Sequence, residues 1–343
     1  MASRWKFIDV LRGLAIVLMV FNHTARYLLD ISVFGYEQFV YGTMIMAGPV
    51  FLFLVGFSLA LSFEATKKNI KSNRKIISKY VFRGLIITAV GFFLSFCVFL
   101  DEQSLTSNVL HTIGEGIILA IPFLYFSQKS IGRLLTLFLA IIVIISFYWL
   151  YLFFVFFSLS HQIIAQMFLS GFQLVPWFGV ILLGIVSGNF FILSVQKNQA
   201  SLFFKKILGL GICSFLVFIC VQMINPQTLW LFSGDYDLNG FWLPSGAMMI
   251  FILSGIMVCL SAVYYLVEIK KINLQFLIDF GRASLVLYVW HLFLVVVVFE
   301  IILGLNFFNW FLFFVFDLLL FVFLWQSAKI WIEIKKYLKK YVY

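Results

Sequence analysis

Apolar residues run almost without interruption through ten stretches, at roughly 8–29, 39–63, 80–100, 108–126, 134–157, 174–194, 207–223, 243–267, 281–303 and 308–330. Each is close to the ~20 residues a helix needs to cross the hydrocarbon core of a bilayer. A transmembrane barrel would show short segments of alternating polarity, and these runs are long and continuous. The pattern predicts an all-α polytopic transmembrane bundle of about ten helices, as a single domain over 1–343. Arg4 and Lys6 precede the first run as in a signal peptide. Arg12 interrupts that run and no small-residue cleavage site follows, so a retained first helix is expected.

The polar gaps carry charge of alternating sign. Placing the N-terminus in the cytoplasm puts 22 of the 24 Lys and Arg on inner segments, all except Arg12 and Arg26. The outer loops hold Asp30, Glu37, Asp101, Glu102, Asp235 and Asp237. By the positive-inside rule both termini are expected in the cytoplasm, and the plasma membrane is the expected location. The basic inner loop at 64–79 would attract lipid headgroups or an anionic nucleotide donor. The longest outer loop, near 224–242, mixes Trp230, Tyr236 and Trp242 with Asp235, Asp237 and Asn239. That mixture suits either sugar binding or an interfacial aromatic belt.

Composition agrees: of 343 residues, 64% are hydrophobic and 11% charged, against about 25% charged in soluble domains. Disorder and an ordinary soluble enzyme are excluded. The net charge of +10 is accounted for by topology, so the expected partner is the lipid bilayer and not nucleic acid. Cys97, Cys213, Cys220 and Cys259 all fall in apolar runs and read as small packing residues, not as a disulfide framework. No metal-ligand spacing occurs, and no metal is expected.

Ionisable groups inside a bilayer cost about 2.5–3.5 kcal/mol or more, so the few present are the functional candidates. They are Arg12, His23, His111, Glu115, His291 and Asp317, with Asn22 beside His23. Arg12 and His23 are 11 residues apart, which at about 100° per residue puts them on one helix face, about 16 Å apart along it. Arg12 is suited to a phosphate or carboxylate, and Asp9, one turn earlier, is placed to pair with it. His23 is suited to act as base or nucleophile. His111 and Glu115 share a face at i and i+4, while Ser284, Tyr288 and His291 form a polar stripe at i, i+4 and i+7. Asp317 is isolated in sequence and expected to have a structural partner. For each group a structural hydrogen bond competes with a functional role.

Several segments, in order, resemble one superfamily. FIDVLRGLAIVLMVFNHT (7–24) is similar to the opening of the membrane acyltransferases related to heparan-α-glucosaminide N-acetyltransferase. Its Arg-x10-His spacing, Arg12 to His23, is also the motif of acyltransferase family three. AGPVFLFLVGFSLAL (47–61) resembles the second helix of both groups. VLHTIGEGIILAIP (109–122) and VPWFGVILLGIVSG (175–188), with Trp177, resemble the bacterial relatives of the heparan enzyme, as does FGRASLVLYVWHLFL (280–294). The resemblance implies transfer of an acetyl group from cytoplasmic acetyl-CoA to a sugar or glycan hydroxyl or amine outside. It puts Arg12, with Asp9 and Arg83, on the coenzyme side, and His23 at the transfer point. Asn22, Glu115, Trp177, Ser284 and Tyr288 fall on the acceptor or oxyanion side. In one departure, the heparan enzyme has Asn at the place of His23 and its active His further along. No His lies between 24 and 110 here, so His23 is the first candidate, with His111 and His291 as alternatives. A homo-oligomer is compatible with this reading. A transporter or flippase of a lipid-linked or anionic substrate is the rival, since it would use the same buried polar groups.

Overall fold

The computed structural model describes residues 4–98, 108–158, 174–224 and 246–342, with side chains over the same ranges except 98, 146–158 and 339–342. The aromatic and acidic residues of the 224–242 loop, and Asp101 and Glu102, lie outside the described residues.

Among the described residues the regular structure is all helical, with no strand. The helices are α1 (Lys6–Leu28), α2 (Tyr36–Asn69), α3 (Asn73–Val98), α4 (Val109–Phe126), α5 (Ser130–Ser158) and α6 (Leu174–Gln196). They continue with α7 (Ala200–Ile224), α8 (Gly246–Tyr264), α9 (Gln275–Arg282), α10 (Ser284–Leu292) and α11 (Trp310–Val342). Both α8 and α10 run on in wider π-helical turns, to Ile269 and Ile302. Nine spans among the described residues are long and apolar enough to cross a bilayer, and a shorter apolar stretch, Ser130–Ile145, belongs to α5. The protein is an all-α, multi-pass membrane bundle.

The helices overrun the apolar runs where their ends are polar. α2 extends to Asn69 and α3 starts at Asn73, because the run marks only the lipid-crossing part, while a helix continues until its backbone finds other partners. α9 has no counterpart among the ten runs: it is a short amphipathic helix of eight residues. A break in the helix at Ala283 separates it from α10.

The chain divides into two compact units. A mid-chain unit spans Phe51–Met257, and an N/C unit joins Ser3–Val50 to Val258–Tyr343. In the mid-chain unit, α2 and α6 approach closely at Gly56 and Gly184, where a methyl group would overlap the Ile181 and Phe53 carbonyls respectively. Small residues at such crossings let backbones touch, which is how membrane helices gain packing energy without a hydrophobic driving force. In the N/C unit, α1 and α9 meet in the same way at Gly13 and Gly281, which face the backbones of Leu277 and Asp9. Large apolar side chains such as Phe82, Phe93, Phe311 and Leu319 are exposed, as a lipid-facing surface requires. Cys213 and Cys220 are exposed and not packed as expected, and all four cysteines are free.

Candidate functional site

The N/C unit gathers most of the polar candidates, at two levels of α1. At the first level Asp9 is buried, with a side chain 3% exposed. Arg4 holds it with two hydrogen bonds, Nε to Oδ2 at 2.6 Å and Nη2 to Oδ1 at 2.9 Å. That carboxylate raises the Arg4 guanidinium above its ordinary value. Arg12 Nη1 lies 3.5 Å from Oδ1, and Arg282 Nε lies 3.9 Å from Oδ2. Three cations thus surround one carboxylate, which leaves the group positive and able to attract an anion. Asp279, close by in sequence, has neutral partners: Gln275 at 2.7 Å and the Trp325 indole at 3.2 Å.

At the second level, three consecutive residues of α1 each reach a different helix of the same unit. The Asn22 amide donates to the Val40 carbonyl at 2.8 Å and to the Thr43 hydroxyl at 3.2 Å, both on α2. His23 Nδ1 lies 2.9 Å from His291 Nε2 on α10. The Thr24 hydroxyl lies 3.1 Å from Asp317 Oδ2 on α11. Successive helical residues point about 100° apart, so three neighbours can address three directions.

The two imidazoles are nearly parallel, at 16°, with centroids 5.1 Å apart. The 2.9 Å nitrogen contact plus the two ring radii accounts for that whole separation, so the rings meet edge to edge and in plane. His291 is fully buried. Its Nδ1 lies 2.8 Å from the Leu287 carbonyl, one turn back. A carbonyl only accepts, so His291 Nδ1 carries a hydrogen. With both rings neutral, His291 Nε2 is then an acceptor and His23 Nδ1 the donor. This leaves His23 Nε2 with its lone pair available. The buried Tyr288 ring stands edge-on to His291 at 5.6 Å, and Ser284 is half-buried at the start of α10.

The remaining candidates belong to the mid-chain unit. His111 is buried and closes a capping box at the start of α4. Its Nδ1 accepts from the Asn108 backbone N–H at 3.0 Å, and the Asn108 side chain accepts from Leu110 and His111 N–H groups. Glu115 is half-buried one turn further along. Trp177 is fully buried in α6. Arg83 is exposed on α3. Among the described residues no group of three His, Cys, Asp or Glu converges to hold a metal ion.

Sequence reasoning missed Arg4 and Arg282 as partners of Asp9, and Thr24 as the partner of Asp317. Arg282 lies within the 280–294 segment that carried a resemblance, but its partner is 273 positions away. No spacing rule joins residues across that gap.

Nine apolar spans among the described residues, with histidines and arginines gathered at two levels of α1, define a multi-pass membrane protein. The family model described as heparan-alpha-glucosaminide N-acetyltransferase, catalytic, matches residues 4–223, and the chain belongs to that family of membrane acetyltransferases. Arg12, His23, Arg83, His111, Glu115 and Trp177 lie inside the matched stretch, whereas Ser284, Tyr288 and His291 lie beyond it. No curated protein matches the chain.

Proposed function

We propose that the protein moves an acetyl group from cytoplasmic acetyl-CoA to a hydroxyl or amine of a sugar or glycan on the outer side of the plasma membrane, with His23 as general base. The observation that carries this reading is the in-plane contact between His23 and His291, which directs one His23 nitrogen to its partner and leaves the other with a lone pair. His23 Nε2 takes the proton of the acceptor O–H or N–H as that atom attacks the thioester carbonyl. The C–S bond breaks, and the proton passes to the departing sulfur to give the free thiol. In a two-step variant His23 itself first accepts the acetyl group and hands it on.

The positive group around Asp9 supports donor binding. Arg12, held beside Asp9, is suited to a phosphate of the coenzyme through a bidentate contact. Arg83 belongs to the same proposal as an exposed cation of the mid-chain unit. Tyr288 and Ser284 stand on the His291 helix as hydroxyls for the acceptor or the oxyanion. Asn22 commits its amide hydrogens to α2 and is assigned to holding α1, not to the oxyanion. Glu115 and Trp177 remain proposals for the acceptor side. His111, whose Nδ1 closes a cap, is the weaker candidate for the base.

The test is acetyl transfer from labelled acetyl-CoA by the purified protein in lipid. His23→Ala, present at normal membrane levels, is expected to lose about 10²- to 10⁴-fold in rate. Transfer by that variant at the normal rate would refute the assignment. A burst of labelled protein without acceptor would select the two-step variant.

A further inference from the structure

We propose that Asp317, buried in α11, is an uncharged carboxylic acid that donates a hydrogen bond to Thr24, and that through this bond it is a positioning residue for His23. Its charge state rests on hydrogen counting together with burial and the lack of a cation partner, and not on the catalytic reading. Its role toward His23 rests on the reading of His23 as base.

Thr24 Oγ1 has three oxygen neighbours: the Val20 carbonyl at 2.9 Å, the Phe21 carbonyl at 3.2 Å and Asp317 Oδ2 at 3.1 Å. A hydroxyl has one hydrogen to donate. The carbonyls cannot donate, and the Val20 carbonyl, one turn back, is the nearest acceptor and the usual one for a helical threonine. With the hydroxyl hydrogen on Val20, the threonine oxygen faces Asp317 with lone pairs only. A carboxylate there would set one oxygen against another. A protonated Asp317 resolves the conflict: Oδ2–H donates to Thr24, and Thr24 donates to Val20.

The surroundings point the same way. Asp317 is 1% exposed and Thr24 fully buried. Asp317 Oδ1 is buried and has no hydrogen-bond partner among the described residues. The charged and titratable groups on the helices packed against α11 are Lys6, Asp9, Arg12, His23, Arg26 and Tyr27 on α1, Tyr36, Glu37 and Tyr41 on the part of α2 in this unit, Asp279 and Arg282 on α9, and Tyr288, His291 and Glu300 on α10 and its continuation. Among the described residues none of them forms an ion pair with Asp317. A buried carboxylate without a cation and with an empty oxygen is far costlier than a neutral acid with the same empty carbonyl.

The bond matters because of where Thr24 sits. Asn22 ties one side of the α1 turn to α2, and Thr24 ties another to α11. His23, between them, has its rotation about the helix axis fixed from both sides. A small turn of α1 would take its imidazole out of the plane it shares with His291.

Two measurements test this. Infrared spectroscopy of protein carrying isotope-labelled aspartate reads the charge without any acyl transfer. A protonated-acid carbonyl stretch is expected at neutral pH in the wild type and is expected to vanish in Asp317→Asn. Absence of that band overturns the proposal, whatever the enzyme does. In the acetyl-transfer assay Asp317→Asn, whose amide still donates to Thr24, is expected to hold kcat within about twofold. Asp317→Ala and Thr24→Val are expected to lose about tenfold in kcat with KM unchanged, and Thr24→Ser to restore it. An Asp317→Asn variant as impaired as Asp317→Ala would overturn the positioning role. If the wild type transferred no acetyl group at all, the function would fall while the infrared band still stood.

Discussion

His23 and His111 are both histidines in apolar helices of one chain, yet they are bound into it in opposite ways. The partner of His111 Nδ1 is the backbone of Asn108, three residues away. Its ring lies 4.1 Å from the Phe92 ring, and its Nε2 is buried without a hydrogen-bond partner among the described residues. Since Nδ1 accepts, neutral His111 carries its hydrogen on Nε2 and has no lone pair to offer. The partner of His23 is 268 positions away, and with both rings neutral His23 donates from Nδ1 and carries its lone pair on Nε2. A histidine that closes its own helix end serves the fold locally. A histidine held by a second histidine from the other end of the chain is oriented, and orientation is what a base requires.

The sharpest way to break that contrast is at His291, which never touches the acceptor in the proposed reaction. His291→Ala removes the acceptor for His23 Nδ1–H and frees the ring to turn. Loss of an orienting partner of this kind costs about 10- to 100-fold, and it should appear in kcat, not in KM. His291→Gln, whose side-chain oxygen can accept in place of Nε2, should recover much of that loss. If His291→Ala and His291→Gln were equally active, the long-range contact would be packing only, and His23 would differ from His111 in nothing that matters to chemistry.

His111 should answer in stability. His111→Ala breaks the reciprocal half of the capping box, a change of about 1 kcal/mol, visible as a lower melting temperature in detergent. His111→Gln retains the side chain that a capping box prefers at this position and should melt near the wild type. Both should transfer acetyl groups within a few-fold of normal. An inactive His111→Gln with an unchanged melting point would reverse the comparison and make His111 the catalytic residue.

The fold was legible because bilayer physics writes it locally. Runs of apolar residues had to be helices, and only the polar helix ends and the amphipathic α9 escaped. The residues of the site were legible for a related reason: Arg12, His23, His291 and Asp317 stand out as polar groups where polarity is costly. Their partners were not. Asp9 with Arg12 follows the i, i+3 rule, but Asp9 with Arg282, Thr24 with Asp317 and His23 with His291 are joined only by the folding of the two chain ends into one unit. Periodicity reports which side of a helix a residue occupies. It carries no information on which helix lies opposite.

The smallest effect concerns a tie that is long in sequence, like that of His23, but exposed to water. Asp30 follows α1, and its carboxylate accepts from the Ser32 N–H at 2.9 Å, the Ser32 hydroxyl at 2.5 Å and the Asn306 amide at 3.2 Å. The Ser32 hydroxyl most of all, then the Ser32 N–H and Asn306, hold that carboxyl below its ordinary value. A lowered folded-state value means the charged form is favoured by folding. The resulting stability is present above the unfolded value, about 3.9, and is lost as pH falls through the lower folded one. Asp30→Ala should therefore melt slightly below the wild type at neutral pH, and the gap should close on acidification. Beside the carboxylate, the backbone makes its own joint: Phe307 N–H donates to the Leu28 carbonyl at 2.7 Å, and Asp30 N–H to the Phe307 carbonyl at 2.9 Å. Those two bonds do not titrate. A melting difference that stayed the same at every pH would show that the charge of Asp30 is not what its side chain contributes to this joint, and that the two backbone bonds carry the long-range tie here.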